Sequence, residues 1–227
     1  KKHIQYAKML DEQELILEKE RIFNSMMIGD SRDYWSDLKT RRALKWMPTD
    51  LLIELRAKGL KIRIHDLTED DLRAFFRAQG KLNVGEVHMA RTDRPDELAH
   101  ELAHAVDALF SKGKGTGMKW GKSAFSTVDE GDFLRDFYKL QHKGYKQGTY
   151  SNGDGKYWKD NWLSDYEGRI YKGRQPGAVG QEFWAMNVQR YAIYREGGNP
   201  SHWRAVQKRY PQVAAFIEKK FGQEFIT

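Results

Sequence analysis

The sequence predicts an α+β fold, in which a small, twisted mixed sheet packs on a long helix and both ends of the chain are helical. Two kinds of pattern predict it. Apolar residues recur at helical spacing in three long segments, over residues 6–27, 96–112 and 181–195. Two short segments, over residues 60–65 and 84–90, instead have the composition and alternation of strands.

The composition excludes several classes of protein. The chain has 227 residues and no cysteine, which excludes disulfide frameworks, cysteine-based zinc sites and cysteine nucleophiles. It has no run of eighteen apolar residues, so we expect no membrane-spanning helix and no membrane partner. A net charge of +7 spread over the whole chain is typical of a soluble surface and is weak support for nucleic-acid binding. The chain begins Lys1-Lys2-His3 without an initiator Met, so we expect it to be a piece of a longer protein.

Residues 1–58 are predicted to form a helical N-terminal region. After the helix over 6–27, a second helix is expected over 31–46, where Pro48 ends it. Thr49 or Asp50 is expected to cap a third helix over 51–58.

Residues 59–227 are predicted to form a second domain. Between its two strands, a helix is expected to start at Thr68 and to direct Leu72, Phe75 and Phe76 inward. A long insert over about 113–165 is rich in loops and contains one predicted helix, over 131–141. The last predicted helix covers 211–221.

The motif His100-Glu101-Leu102-Ala103-His104 carries the chemistry. Residues four apart lie on one face of a helix, so His100 and His104 can bind one Zn²⁺ together. Glu101 then lies beside the open position of the metal, where it can take a proton from the water that zinc activates.

Two histidines leave a third protein ligand to be found. A metzincin would need Gly and His at the positions of Asp107 and Phe110, and a peptide deformylase would need a cysteine. A carboxylate on a later helix therefore remains, and the candidates are Glu130, Glu167 and Glu182. Glu182 is favoured because the residues that follow it are apolar, and a buried carboxylate needs a partner such as a metal ion.

The segments HELAHAVD at 100–107 and EFWA at 182–185 resemble the catalytic domain of anthrax toxin lethal factor and its relatives. These are zinc metallopeptidases of the Glu-zincin type, and the clostridial Pro-Pro endopeptidases are smaller cousins. The resemblance covers roughly residues 60–110 and 165–225. It implies a zincin-like fold with one Zn²⁺ per chain, bound by His100, His104 and Glu182, with Glu101 as the general base. Asp107 would then hold a metal-binding side chain in its orientation without contacting the metal itself.

The same resemblance implies a tyrosine that donates a hydrogen bond to the developing oxyanion, a few residues before the third ligand. Tyr171 is the favoured candidate, although it lies eleven residues before Glu182 rather than about seven, and Tyr166 is its rival. A weaker likeness over residues 165–186 is to peptidase-like modules of phage head-morphogenesis proteins. Both likenesses imply a secreted or virion-associated protein.

The predicted function is that of a zinc-dependent endopeptidase. By analogy with zincins, its protein or peptide substrate would pair with an edge strand that runs from Gly85 to Met89. His88 on that strand is expected to be structural or to face the substrate, not to bind metal. The alternative is a catalytically silent module with a peptidase fold that has a structural role or associates with nucleic acid. The sequence does not set the oligomeric state.

Overall fold

The structure is a computed structural model that describes residues 2–29, 37–65, 74–78, 83–90, 93–110, 147–149, 156–158, 162–170 and 179–222. Within these residues the chain forms seven α-helices and two three-stranded sheets. This mixture agrees with the predicted α+β class.

The helices begin and end close to the predicted bounds where the two can be compared. They are α1 (Lys2–Met26), α2 (Asp37–Leu44), α3 (Thr49–Ala57), α4 (Pro95–Phe110), α5 (Val179–Arg195), α6 (Ser201–Arg209) and α7 (Pro211–Phe221). The strands are β1 (Lys61–His65), β2 (Phe75–Ala78), β3 (Gly85–Ala90), β4 (Gln147–Thr149), β5 (Lys156–Trp158) and β6 (Arg169–Ile170). A four-residue 3₁₀ helix, Asp165–Gly168, precedes β6.

The first sheet has the strand order β1-β3-β2 and is mixed, as predicted. β1 runs parallel to β3, and β2 runs antiparallel to it. Val87 and Met89 on β3 are fully buried, whereas Glu86 and His88 alternate with them and are only partly buried. One face of the sheet therefore joins the core, in which α4 packs against β2 and β3.

The predicted edge strand through Gly85 and Met89 is wrong. Those residues belong to β3, which is the middle strand and has β1 on one side and β2 on the other. Two strand neighbours occupy both sides of its backbone, so an added peptide cannot pair with it. On the side of β1 away from β3, Met27 makes a parallel bridge to Ile62.

The predicted helix after Thr68 is wrong where the structure can test it, because Phe75 and Phe76 lie in strand β2. Phe76 is 8% exposed and Phe75 is 40% exposed, which is the alternation of a strand with one buried face. Residues 66–73 lie outside the described part of the chain. β2 also approaches β3 so closely that a Cβ on Gly85, whose φ is 148°, would lie 2.4 Å from the backbone oxygen of Arg77. Only glycine fits this position without strain.

The N-terminal helices pack onto the remainder of the chain. Their buried apolar residues and those of β1, β3, α4 and α5 form one continuous cluster. The residue that precedes α3 is Pro48, and Thr49 and Asp50 lie inside the helix, so the predicted cap is wrong. The division into residues 1–58 and 59–227 stays a prediction.

The insert predicted to be rich in loops contains β4 and β5 of the second sheet, which has the strand order β4-β5-β6. Most of the insert over 113–165, including the predicted helix over 131–141, lies outside the described residues. Helix α6, which Pro200 directly precedes, is not among the predicted helices. Among the helices of the described ranges, none combines the length and the apolar character needed to span a membrane.

Candidate metal centre

Helix α4 begins at a well-defined N-terminus. Pro95 occupies the first helical position, where its missing N–H costs nothing. The side chain of Glu97 reaches back and accepts a hydrogen bond from the backbone N–H of Arg94 at 2.6 Å, as in a capping box. From Leu98 to Ala108 the residues of the helix are buried, and among them His100, Glu101 and His104 are no more than 8% exposed. The motif thus lies in the core.

Helix α5 is fastened to α4 at two points. The indole N–H of Trp184 donates to the backbone oxygen of Ala103 at 2.9 Å, next to His104 in the chain. Nearer the start of α4, the amide of Gln189 donates to Asp96 at 2.9 Å. These bonds fix how α5 lies against α4, and so how the two helices present their polar side chains to each other.

His100, His104 and Glu182 meet between these two helices. The Nε2 atom of His100 lies 3.2 Å from Nε2 of His104 and 3.2 Å from Oε2 of Glu182. Nε2 of His104 lies 3.6 Å from the same carboxylate oxygen. The three side chains are buried, and together they can hold a metal ion. The preference for Glu182 as the third member of the cluster is thus supported by its position.

The spacing of these atoms can be compared with known coordination chemistry. Nitrogen and oxygen ligands about 2.0–2.1 Å from a tetrahedral metal ion lie about 3.3 Å from one another. The three separations in the cluster, 3.2, 3.2 and 3.6 Å, bracket that value. The donor set, two imidazoles and one carboxylate, is also one that zinc accepts in catalytic sites. The residues present therefore fit a tetrahedral ion with one further position.

The charges in the cluster favour an ionised carboxylate. Burial on its own raises the pKa of Glu182, but the positive charge of His104 and the hydrogen bonds from His100 and His104 outweigh it and hold that pKa well below its ordinary value. Burial lowers the pKa of His104, yet the Glu182 carboxylate, with Glu101 and Asp107, raises it overall. An ionised carboxylate beside two imidazoles is a favourable set of donors for a cation.

Glu101 lies beside the cluster and has the opposite tendency. Burial raises the pKa of its carboxyl group, and the nearby histidines compensate only in part. Its carboxylate accepts a hydrogen bond from the backbone N–H of Phe76 on β2. Glu101 thus lies between the cluster and β2, an outer strand of the sheet.

The other predicted site residues are distributed differently. Asp107 is buried on α4, and its charge acts on His104, in keeping with a supporting role. The ring of Tyr166 meets the His100 ring edge-on, with centroids 6.0 Å apart. Tyr171 and Glu130 lie outside the described residues, so their roles stay predictions. Glu167 is not in the cluster, because its carboxylate is engaged by Arg190 on α5.

His88 does not belong to the cluster, as expected. It lies on the face of the sheet opposite to the core, where its Nδ1 is 2.9 Å from Nε2 of His65 and its Nε2 is 3.3 Å from Glu86. The exposed ring of Phe75 stacks on it at 4.5 Å. Burial and the neighbouring His65 lower the pKa of His88, so it is mainly neutral at pH 7.

Comparison of the chain with protein-family models and with the sequences of curated proteins finds no match. The functional interpretation therefore depends on the residues and their geometry.

Asn187 and Arg190 were missed as supporting residues. Both are buried on α5 within a mostly apolar sequence, and both contact the carboxylate of Glu167. A polar pair three residues apart among apolar residues of one helix is a signal of a buried network, and it could have been found in the sequence.

Proposed function

We propose that the protein is a zinc-dependent endopeptidase. The observation that carries this proposal is the meeting of His100, His104 and Glu182 at 3.2–3.6 Å, with Glu101 next to His100 on the same helix. Two imidazoles and a carboxylate from a separate helix are the ligand set of several hydrolytic zinc enzymes. The adjacent buried carboxylate supplies the acid–base group that hydrolysis needs.

In this proposal His100, His104 and Glu182 hold the ion, and the chemistry it would supply when bound is Lewis acidity toward the peptide carbonyl and toward water. Glu101 accepts a proton from the attacking water and delivers it to the leaving amine. Burial raises the pKa of Glu101, and a cation held by the three residues would favour its ionised form. The backbone N–H of Phe76 holds this carboxylate in place.

A tyrosine hydroxyl is proposed to stabilise the oxyanion of the tetrahedral intermediate. Tyr166 is supported by its position, because its ring contacts that of His100. Tyr171 stays the competing candidate. Comparing Tyr166→Phe with Tyr171→Phe distinguishes them, since the variant that lacks the donor should lose about 10²–10³-fold in kcat while the other stays near wild type.

The substrate is proposed to pair with β2 rather than with β3. β2 is an outer strand of the described sheet and packs against α4. The N–H of Phe76 is turned toward Glu101, so this strand runs directly past the proposed acid–base group. An extended peptide added alongside β2 would therefore pass close to the cluster.

The first experiment is elemental analysis of the purified protein and of His104→Ala. We expect about one zinc per chain in the wild type and a large loss in the variant, because one of the three ligands is removed. Purification should avoid added metal and metal-affinity columns. Absence of metal, together with no uptake of supplied zinc, would contradict the proposal.

The second experiment measures hydrolysis of a peptide library by Glu101→Gln. We expect this variant to retain zinc and to lose turnover, because an amide cannot accept the proton. Glu20→Gln is the matched control, since Glu20 is a buried carboxylate that pairs with Arg41 far from the cluster along the chain. Zinc binding without hydrolysis in the wild type would favour the catalytically silent module instead.

A further inference from the structure

Glu167 is a carboxylate with no exposed surface, and both of its oxygens accept hydrogen bonds. Oε2 accepts from the backbone N–H of Leu163 at 2.7 Å and from the hydroxyl of Tyr210 at 3.4 Å. Oε1 accepts from the amide of Asn187 at 3.3 Å and from the guanidinium of Arg190. A buried charge of this kind is retained only where it is fully compensated, and here it is.

The hydrogen bonds of Glu167 extend to α5, the helix that carries Glu182. The same amide group of Asn187 also donates to the backbone oxygen of Phe183 at 2.7 Å, one residue after Glu182. Burial and the charge of Glu167 raise the pKa of Tyr210, so its hydroxyl stays protonated and remains a donor. The 3₁₀ helix Asp165–Gly168 is thereby joined to α5 at Asn187 and Arg190, five and eight residues after Glu182.

Tyr166 immediately precedes Glu167 in that 3₁₀ helix, and its ring lies edge-on to His100. Adjacent residues in a four-residue helical turn are joined by one short stretch of regular backbone. Hydrogen bonds that hold the side chain of Glu167 in place therefore also restrict the position of Tyr166. We propose that Glu167, paired with Arg190, is a positioning residue that holds the ring of Tyr166 against His100 at the metal cluster. The inference deepens the proposed function, and it rests on that function where it treats Tyr166 as part of the site.

The test records the imidazole NMR signals of His100 in the full chain, as purified and after removal of metal by chelation. Tyr166→Leu removes the ring and defines the direction and size of the resulting shift. Glu167→Gln should move the His100 signals in the same direction by a comparable amount, because the ring is released. Glu20→Gln, which breaks the ion pair between another buried glutamate and an arginine, should leave them unchanged.

A folded Glu167→Gln protein with unchanged His100 signals would overturn the inference. If Glu167→Gln does not fold, Arg190→Lys takes its place, since it retains the charge but loses the geometry of the guanidinium; unchanged His100 signals there would overturn the inference equally. Where peptides are hydrolysed, both variants should lower kcat more than they raise KM. The NMR result does not depend on hydrolysis, so shifts without turnover would support the positioning role and contradict the proposed function.

Discussion

Replacing Trp184 by Phe tests how the two ligand helices are held together. The indole of Trp184 is 4% exposed, its ring lies 5.8 Å from that of Phe221, and its N–H donates to Ala103. Losing that hydrogen bond costs about 1 kcal/mol. The smaller ring leaves a space in the core that costs about 1–2 kcal/mol more. We therefore expect the free energy of unfolding to fall by about 2–3 kcal/mol.

The same substitution should also weaken metal binding. Ala103 precedes His104 and Trp184 lies two residues after Glu182, so the bond between them helps to set the distance between two proposed ligands on different helices. Groups that orient ligands in this way typically contribute about tenfold or more to metal affinity. We expect a loss of about tenfold in zinc affinity for Trp184→Phe.

Trp203→Phe is the matched control. Trp203 is 1% exposed and donates its indole N–H to Glu218 at 3.1 Å, in a contact between α6 and α7. The two variants should lose similar stability in urea unfolding, but only Trp184→Phe should lose affinity in a competitive chelator titration. Equal zinc affinities in the two variants would refute the idea that this bond sets the ligand spacing.

Three other predictions follow from the structure. In the metal-free protein, stability should fall as the pH rises above about 6.5, because the pKa of His104 is raised on folding and its contribution is lost as the folded form deprotonates. Thermal unfolding in the presence of a chelator measures this effect. An unfolding temperature that increases between about pH 6 and pH 9 would contradict the prediction. Gly85→Ala should lower the free energy of unfolding by roughly 2–4 kcal/mol, because the added Cβ would contact β2. Gly197→Ala, with φ 84° and open space around it, should cost only about 1 kcal/mol in urea unfolding. Equal losses in the two variants would be inconsistent with a steric cause. Arg190→Met should cost about 3–5 kcal/mol because it leaves a buried carboxylate uncompensated, and a loss below about 1 kcal/mol would show that water reaches that site.

The local part of the site could be predicted from the sequence. The motif on α4 needs only helical spacing to bring His100 and His104 together, and the apolar residues after Glu182 indicated its burial. The short segment of β2 was harder, because Phe75 and Phe76 are compatible with a helix or a strand when only two residues carry the pattern. Pairing with β3 then determines that this segment is a strand and not a helix.

Long-range contacts account for what the sequence did not show. The strand through Gly85 and Met89 has the alternation of a strand, but nothing local indicates that neighbours lie on both sides of it. Glu167 is a reasonable ligand candidate from the sequence alone, but in the structure its carboxylate pairs with Arg190, 23 residues later. The bond from Trp184 to Ala103 joins residues 81 apart and likewise has no local signature.

The cluster of His100, His104 and Glu182 joins parts of the chain that are far apart, since His100 and Glu182 are separated by 82 positions. A chain without cysteine cannot close such a loop with a disulfide. An ion bound at the cluster would serve as a crosslink of a different kind, present only while the chain is folded, because the unfolded chain does not hold the three side chains together. All of the binding free energy then adds to the stability of the folded state. The supply of metal would thus affect the stability of the folded protein.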